Sequence, residues 1–218
     1  MKKIVLSTLI VIISLKISAQ AEVKPELLYS NKLSIVAGLI QPIALNGWNV
    51  ELNYTTKRMI FDYSHGFNLH PPSGGEYKIQ NVVLYLPYST GFGIGYRINS
   101  FLDIRFEPKL HSWEVYYRDD EQTPSVRIED YKTFTLGIGI YYRYFPFRNS
   151  KYKGLQGITT ATSLRFWPNI GSTLSKDKFT YDNKLTSNKE TQKAANIGMG
   201  NTPFIFNISI GYTFGGKD

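Results

Sequence analysis

The sequence has no cysteine, no long apolar run after its first twenty residues, and no extended stretch of helical periodicity. The lack of cysteine excludes a disulfide framework, a thiolate metal site and attachment as a lipoprotein through an N-terminal Cys. No segment after residue 21 reaches the roughly 18 consecutive apolar residues that indicate a transmembrane helix. What remains is a chain in which apolar and polar residues alternate, which is typical of β-strands.

A strong excess of charge is also lacking from the part of the chain that we expect to fold. The whole sequence has 25 Lys and Arg against 17 Asp and Glu. Without the three lysines of the first twenty residues, the excess falls to about +5, a mild value for surface or interior charge. The sequence shows neither a basic run nor a nucleic-acid-binding motif. We therefore expect no nucleic-acid partner.

The first 21 residues have the pattern of a secretory signal peptide. Two lysines precede an apolar run over Ile4–Ile17, and small residues follow it. The pattern fits cleavage after Ala19 or after Ala21, and leaves both open. As a membrane anchor the run would fall short of the roughly 20 residues required. The predicted organisation is a signal peptide at 1–21, a short lead at 22–31, a β domain at 32–214 and a tail at 215–218.

Alternation with a period of two predicts eight strands. The last strand is the clearest, since every even position from 204 to 214 is large and apolar while the odd positions are mostly small or polar. In the fourth strand, Val82, Leu84, Leu86, Phe92 and Ile94 share one phase and are expected on one face. The predicted strands span 33–40, 48–55, 59–64, 82–98, 102–111, 133–144, 158–166 and 204–214.

An even number of strands, joined by connections that mostly alternate between short and long, is typical of a bacterial outer-membrane barrel. A secreted, lipocalin-like barrel with an apolar core is the alternative. Three features favour an apolar face turned to lipid. The polar face of the fifth strand is charged, glycine and threonine line two other strands, and aromatic residues gather at strand ends. The predicted fold class is therefore all-β, an eight-stranded antiparallel transmembrane β-barrel.

Charged residues on the inward phase are expected to pair inside the barrel, because the interior of eight strands is just wide enough for side chains to fill. The predicted network comprises Glu51, Asp62, Arg97, Asp103, Arg105, Glu107, Lys109, Arg143 and Arg165. A metal site is not expected, since the three His residues have no metal-ligand spacing.

Two segments carry a resemblance to known proteins. The glycine-aromatic segment Thr90–Arg97 and the closing segment Ile208–Phe214, together with the signal peptide, resemble the small outer-membrane β-barrel proteins of the OmpA/OmpX-like group. The resemblance implies an integral outer-membrane location, surrounded by lipids and lipopolysaccharide. It also implies that Tyr212 and Phe214 are recognised by the barrel-assembly machinery. Residues 215–218 follow the terminal aromatic, whereas many members of the group end on it.

The expected function is a structural or surface-binding one, without catalysis or a cofactor. The fourth and fifth strands exceed the roughly 9–11 residues that a tilted strand needs to cross a bilayer. They are expected to protrude as a ribbon with a free edge for a protein partner. One alternative is a lipid A-modifying hydrolase or acyltransferase that uses Ser64 and His111, although no third group fixes their geometry. Another is a narrow pore or small-molecule transport barrel.

The segment 169–201 is rich in Lys, Asn, Ser and Thr. Its composition predicts a mobile surface loop. Its lysines give it about two net positive charges, which could contact lipopolysaccharide phosphates, or could be solvated.

Overall fold

The computed structural model describes residues 31–71 and 81–215. The predicted signal peptide, residues 22–30 of the predicted lead and residues 216–218 of the predicted tail lie outside these ranges. Among the described residues, no helix is long and apolar enough to span a membrane.

Eleven strands are described, and eight of them form one closed antiparallel barrel. The strands are β1 (Lys32–Gly38), β2 (Trp48–Thr55), β3 (Met59–Leu69), β4 (Val82–Arg97), β5 (Leu102–Tyr117), β6 (Glu129–Tyr144), β7 (Ile158–Phe166), β8 (Asn169–Ser172), β9 (Lys178–Asp182), β10 (Lys189–Lys193) and β11 (Phe204–Phe214). The short helices are α1 (Ile40–Ala44) and α2 (Lys153–Gln156), with 3-10 turns at Pro124–Val126, Ser175–Asp177 and Met199–Asn201.

Chain neighbours pair from β1 to β7, and β11 closes the barrel between β7 and β1. The closing register sets Ile35 opposite Tyr212, and Phe204 opposite Phe166. The prediction of an eight-stranded antiparallel barrel is therefore confirmed, including the pairing of the last strand with the first. The end that holds Lys32, Phe214 and the turns after β2, β4 and β6 is called the terminal end, and the opposite end the loop end.

The alternation along the strands separates an apolar outer surface from a polar interior. On β2, Trp48, Val50, Leu52 and Tyr54 are exposed, while Glu51, Asn53 and Thr55 are buried. Successive side chains of a strand point to opposite faces, so the sequence pattern decides which of them enter the barrel. The predicted faces of the barrel strands are confirmed, with one exception on β4.

The exception on β4 comes from a β-bulge. Tyr85 pairs with Glu114 whereas Tyr88 pairs with Ser112, so β4 has one more residue than β5 across this interval. Pro87 lies inside the bulge, where the lack of an N–H group costs no ladder hydrogen bond. The extra residue reverses the phase, and the predicted single face was wrong. Val82, Leu84 and Leu86 are buried, whereas Phe92, Ile94 and Tyr96, which have the same even numbering, are exposed.

The loop end is a folded cap, since β9 and β10 form a hairpin and β8 pairs with β6. The hairpin lies over the extensions of β4, β5 and β6, and its inner face is buried against them. Ten buried residues form this capping cluster: Leu69, Val82, Leu84, Leu86, Trp113, Val115, Tyr131, Phe179, Tyr181 and Ala195. The prediction that 169–201 is a loop was wrong, since the segment contains β8, β9 and β10. Phe179 and Tyr181 alternate with polar residues and anchor the hairpin to an apolar surface.

The long strands do not form the two-stranded ribbon that was predicted. Val115 pairs with Glu129, so β6 extends beside β5, and β8 covers part of the β6 edge through pairs such as Thr133 with Ser172. The extension is thus three-stranded and packed on one face by the hairpin.

Glycines of the inward face leave room for large interior side chains. A Cβ atom at Gly137 would overlap the indole of Trp167, and one at Gly93 would overlap the carboxylate of Asp62. Gly171, on β8, has open space around the same position.

We predict that Gly137→Ala lowers the free energy of unfolding of the barrel by about 2 kcal/mol, because the added methyl forces the Trp167 indole out of its position. The matched control Gly171→Ala should leave stability unchanged within about 0.5 kcal/mol. Urea unfolding in detergent micelles measures both. Equal midpoints for Gly137→Ala and the wild type would contradict the packing described.

Candidate functional site: the charged barrel interior

The guanidinium of Arg105 is the centre of the interior. Its Nη1 donates to Glu51 Oε1 and to Asn53 Oδ1, each at 2.6 Å, and its Nε donates to Asp103 Oδ1 at 2.6 Å. Asp62 Oδ2 lies 3.4 Å from the same Nη1. Arg105 is 2% exposed, so these carboxylates replace the water that the cation would otherwise bind. Three strands of the barrel, β2, β3 and β5, meet at this one side chain.

The ring of Tyr141 contacts two guanidinium groups of the interior. The Tyr141 ring lies 3.7 Å from the Arg105 guanidinium carbon and 4.8 Å from that of Arg165. The Tyr141 hydroxyl donates to Glu107 Oε2 at 2.6 Å, and Arg165 Nη2 lies 3.5 Å from Glu51 Oε2. Cation–π contacts gain strength in a desolvated setting. Tyr141 therefore joins two cations that would otherwise repel each other.

Toward the loop end, Lys109 and Trp167 lie together in the interior. Lys109 Nζ donates to Ser64 Oγ and lies 3.7 Å from Glu107 Oε1. The same ammonium lies 4.2 Å from the centre of the Trp167 ring. Trp167 is buried, follows the last residue of β7, and covers the charged layer on the side of the loop end. It separates the ions from the capping cluster.

Toward the terminal end, Arg143 completes the network. Its Nη2 lies 3.6 Å from Asp103 Oδ2, and its Nη1 donates to Thr55 Oγ1 at 3.3 Å. Arg97 lies at the rim, where its Nη1 donates to the backbone carbonyls of Thr56 and Lys57 at 2.6 and 3.4 Å. The structure therefore brings eight of the nine predicted network residues together in the interior. The ninth, Arg97, clamps the turn between β2 and β3.

The interior charges balance. Within the described residues, the buried acids are Glu51, Asp62, Asp103 and Glu107, and the buried bases are Arg105, Lys109, Arg143 and Arg165. Removal of an ion from water costs several kcal/mol, and only close partners offset that cost. Equal numbers of opposite charges allow every ion to have such a partner without a counterion from solvent.

The remaining wall of the barrel contributes small polar groups. Ser34, Thr159 and Thr213 form a hydroxyl chain with oxygen separations of 2.8 and 2.7 Å. Asn207 Nδ2 donates to Ser209 Oγ at 3.1 Å. These short side chains on β1, β7 and β11 give the long charged side chains of β5 and β6 room to cross the interior.

Ser64 and His111 are held by other groups. His111 Nδ1 and Ser89 Oγ are 2.8 Å apart, and His111 Nε2 and Thr135 Oγ1 are 2.9 Å apart. Because both ring nitrogens share hydrogen bonds with hydroxyls and Ser64 is bonded by Lys109, the predicted pair is not joined. In the described residues, no group of three or more His, Asp or Glu side chains is arranged to hold a metal ion.

A second ionic group lies at the loop end, outside the barrel wall. Arg127 Nη1 lies 2.7 Å from Glu114 Oε1, and Arg127 Nη2 lies 3.2 Å from Asp130 Oδ1. The Tyr116 hydroxyl donates to Glu114 Oε2 at 2.6 Å. Burial, with the adjacent carboxylate, raises the pKa of Tyr116 to about 12. Tyr116 thus remains a hydrogen-bond donor at neutral pH and holds the Glu114 carboxylate in place for Arg127.

The lysine-rich hairpin is attached to the same end by an ion pair. Lys184 Nζ lies 2.9 Å from Asp120 Oδ2 and 4.0 Å from the centre of the Tyr117 ring. Other hairpin lysines, such as Lys178 and Lys189, are exposed.

The two residues of the predicted assembly signal lie at the terminal end of β11. Tyr212 and Phe214 are on the outward face with ring centroids 4.7 Å apart. Phe214 is exposed.

Sequence analysis missed two aromatic residues of the interior, Tyr141 and Trp167. Tyr141 shares its phase with Gly139 and Arg143, so the alternation of β6 does indicate its inward position. Trp167 continues the inward phase of Ser163 and Arg165, but it lies one residue beyond the predicted end of the strand at 166.

The fold and interior define a class: a closed antiparallel barrel with an apolar exterior and an interior filled by paired charges. No protein-family model matches the sequence, and no curated protein matches it. Among solved structures, the chain is similar to the crystal structure of a major outer membrane protein from Thermus thermophilus. The identity is 8%, the TM-score is 0.43, and the match covers 85% of this chain and 99% of the other. Values this low carry no argument about function, and the resemblance to the OmpA/OmpX-like group stays a prediction.

We predict that Arg105→Met lowers the free energy of unfolding by about 3–5 kcal/mol, because Glu51 and Asp103 then stay buried without their main partner. Arg148→Met, at the terminal rim, is the matched control and should change stability by no more than about 0.5 kcal/mol. Denaturant titration in micelles compares the two.

A second substitution separates charge from packing. Adding Glu51→Gln to Arg105→Met should recover part of the lost stability, because it removes one of the two carboxylates that lose their main partner with Arg105. If Arg105→Met proved as stable as the wild type, the interior would not depend on this cation.

Proposed function

We propose that this protein is an integral outer-membrane β-barrel with a closed interior, acting in envelope structure or in surface binding rather than in catalysis. One observation carries the proposal: around the charged layers, all eight strands turn apolar residues outward while the ions face inward. A barrel that folds in water needs the opposite arrangement. An apolar exterior around a polar lumen is the arrangement of outer-membrane barrels.

The extent of the apolar exterior supports a lipid surrounding. More than twenty large apolar side chains of the barrel strands are exposed, among them Leu164 at 65% and Phe92 at 66%. At about 100 Å² for a half-exposed large side chain, they present on the order of 2,000 Å². Soluble monomers rarely expose an apolar patch above about 300–600 Å². We call this surface the apolar belt.

The height of the apolar belt fits a membrane. On β11 it runs from Phe204 to Phe214, which at about 3.3 Å per residue is about 33 Å along the strand. A tilt of about 45° reduces this to about 23 Å, close to the roughly 25 Å apolar band of outer-membrane barrels. Aromatic residues occur at both edges, as Tyr54, Tyr96 and Phe214 at the terminal end and Trp48 and Phe204 at the loop end. Such rings favour the interface between lipid and water.

The filled interior supports a closed barrel over a pore. Arg105, Tyr141, Arg165 and Trp167 stack across the interior, and the capping cluster lies above them. An ion that crossed the barrel would have to displace paired charges, whose partners would then be left buried and unpaired. A structural or binding role therefore fits better than transport.

The loop end is the surface best suited to a partner. It carries the folded hairpin, the three-stranded extension and the short helix α1, with exposed apolar side chains at Ile43 and Leu185. A protein or lipopolysaccharide partner at this end is part of the proposal. The hydrolase alternative has less support, because Ser64 and His111 are buried and each is hydrogen-bonded to a different residue.

We predict that Ile140→Lys destabilises the barrel in lipid vesicles by about 2–4 kcal/mol, because it places an ammonium in the apolar belt at bilayer depth. Leu185→Lys, on the hairpin and also exposed, is the matched control and should have no effect beyond about 0.5 kcal/mol. Reversible unfolding in vesicles gives both values. If Ile140→Lys were neutral or stabilising, the belt would face water and the membrane placement would fail.

For the closed interior, we predict no stable single-channel conductance of the wild-type barrel in planar bilayers. Ions would have to pass the Arg105 and Trp167 layers, where paired side chains fill the described interior. Insertion is established in the same preparation by heat-modifiable gel mobility. Long-lived, uniform conductance steps would favour the transport alternative.

A further inference from the structure

Charge is divided among three zones of the described residues. The interior is balanced, as shown above. The loop end carries Arg118, Arg127, Lys132, Lys176, Lys178, Lys184, Lys189 and Lys193 against Glu114, Asp119, Asp120, Glu121, Glu129, Asp130, Asp177, Asp182 and Glu190. It is therefore close to neutral as well. The net positive charge of the described chain lies at the terminal end.

The terminal end is basic on most of the connections that reach it. We call these residues the basic collar: Lys32, Lys57, Arg58, Arg97, Arg148, Lys151 and Lys153. They come from the start of β1, the turn after β2, the end of β4 and the connection after β6. Within residues 31–71 and 81–215, this end has no acidic residue apart from Asp103, which is buried in the interior.

The connection between β6 and β7 adds apolar groups to the collar. Phe147, Tyr152 and Leu155 are exposed by 47%, 74% and 39%. They lie along the chain among Arg148, Lys151 and Lys153, next to the terminal edge of the apolar belt. Apolar side chains beside basic ones, at the level where a belt ends, are suited to the headgroup region of a bilayer.

We propose that the basic collar binds the anionic headgroups of phospholipids in the leaflet at the terminal end. The inference rests on the proposed membrane placement and adds a ligand class to it. Two features identify the occupant. The exposed charge of the collar has one sign only, so its complement is an anion, and the collar continues directly from a surface that fits acyl chains. A phospholipid supplies both parts in one molecule, whereas a free phosphate supplies only the anion.

The distribution also distinguishes the two leaflets. The loop-end lysines lie among a slightly larger number of acids, and Lys184 is already paired with Asp120. The field of that end is therefore weak beyond about one Debye length, roughly 8–10 Å at physiological salt. At the collar, basic residues far outnumber acidic ones, so its attraction for anionic lipid should be the stronger.

The test uses the absence of cysteine from the chain, which allows one label at a chosen position. Gly154→Cys in the collar and Gly171→Cys at the loop end both have open space for a side chain. Each is labelled with a fluorophore and inserted into phosphatidylcholine vesicles. Small amounts of nitroxide-labelled phosphatidylglycerol or nitroxide-labelled phosphatidylcholine are then added as quenchers.

We predict that phosphatidylglycerol is enriched over phosphatidylcholine about five-fold or more at position 154, on the scale of one basic side chain at an anionic surface. At position 171 the ratio should be near one. The enrichment should fall toward one in about 1 M salt, where the Debye length is about 3 Å. Sodium phosphate and sodium chloride at equal ionic strength should lower it equally if the headgroup is bound as part of a lipid.

Charge variants complete the test. The triple variant Arg148→Gln, Lys151→Gln, Lys153→Gln should bring the ratio at position 154 close to one. Lys176→Gln, Lys178→Gln, Lys189→Gln removes the same charge from the loop end and should leave that ratio unchanged.

Three outcomes would count against the proposal, and they differ from one another. Equal quenching by both lipids at position 154 in the wild type would overturn the collar proposal while the barrel remains inserted. A specific loss with sodium phosphate would overturn the lipid as the source of the anion. Absence of quenching by either lipid, with no heat-modifiable mobility, would overturn the membrane placement itself.

Discussion

The pairing of Arg105 with Glu51 and Asp103 is the interaction on which the rest of the barrel depends. An eight-stranded barrel has an interior that side chains must fill, and here the alternation of β2, β3, β5 and β6 fills it with ions. A buried guanidinium is tolerable only when carboxylates lie within hydrogen-bond distance on several sides. Those carboxylates come from different strands, so the network fixes the mutual register of strands that the backbone ladder joins only pairwise. The glycines opposite Asp62 and Trp167 and the hydroxyl wall of β1 and β11 follow from the same need for space.

Beyond the charged layers, toward the loop end, the interior becomes apolar. Trp167 separates ions from apolar groups, and above it the bulge at Pro87 turns the apolar phase of β4 inward. The residues before the bulge then need an apolar cover, which the hairpin β9–β10 supplies through Phe179 and Tyr181. In the proposed placement lipid surrounds the belt, whereas the hairpin projects beyond the bilayer into water, so the hairpin and the strand extensions have to form their own small core, as a soluble domain does. The outer face of the hairpin is rich in lysine and asparagine because it faces water, whereas its inner face is aromatic because it packs on the strand extensions.

The sequence alone was sufficient to predict the barrel strands. Once a lipid surrounding is assumed, alternation with a period of two indicates which side chains face the interior and which face the lipid. It was sufficient for most of the interior network for the same reason, because eight charged residues lie on the inward phase. The sequence-based prediction failed where the phase of the alternation changes along a strand. Nothing in the spacing from Val82 to Phe92 reveals that Pro87 adds a residue and reverses the phase. The hairpin was missed because its polar residues dominate the composition, whereas the two aromatic residues that anchor it decide its structure.

A balanced interior has a consequence for the outside of the molecule. Within residues 31–71 and 81–215 the lumen contributes no net charge and the loop end nearly none, so the excess of basic residues lies on the terminal rim, where it acts at short range on whatever surface meets that rim. Paired interior ions are screened from solvent by the strands and by one another, so they cannot attract a partner. The residues that stabilise the fold and those proposed to face an anionic leaflet are therefore separate sets, with Arg97 between them as a clamp on the turn after β2. This separation allows Arg148, Lys151 and Lys153 to vary in charge without loss of the barrel.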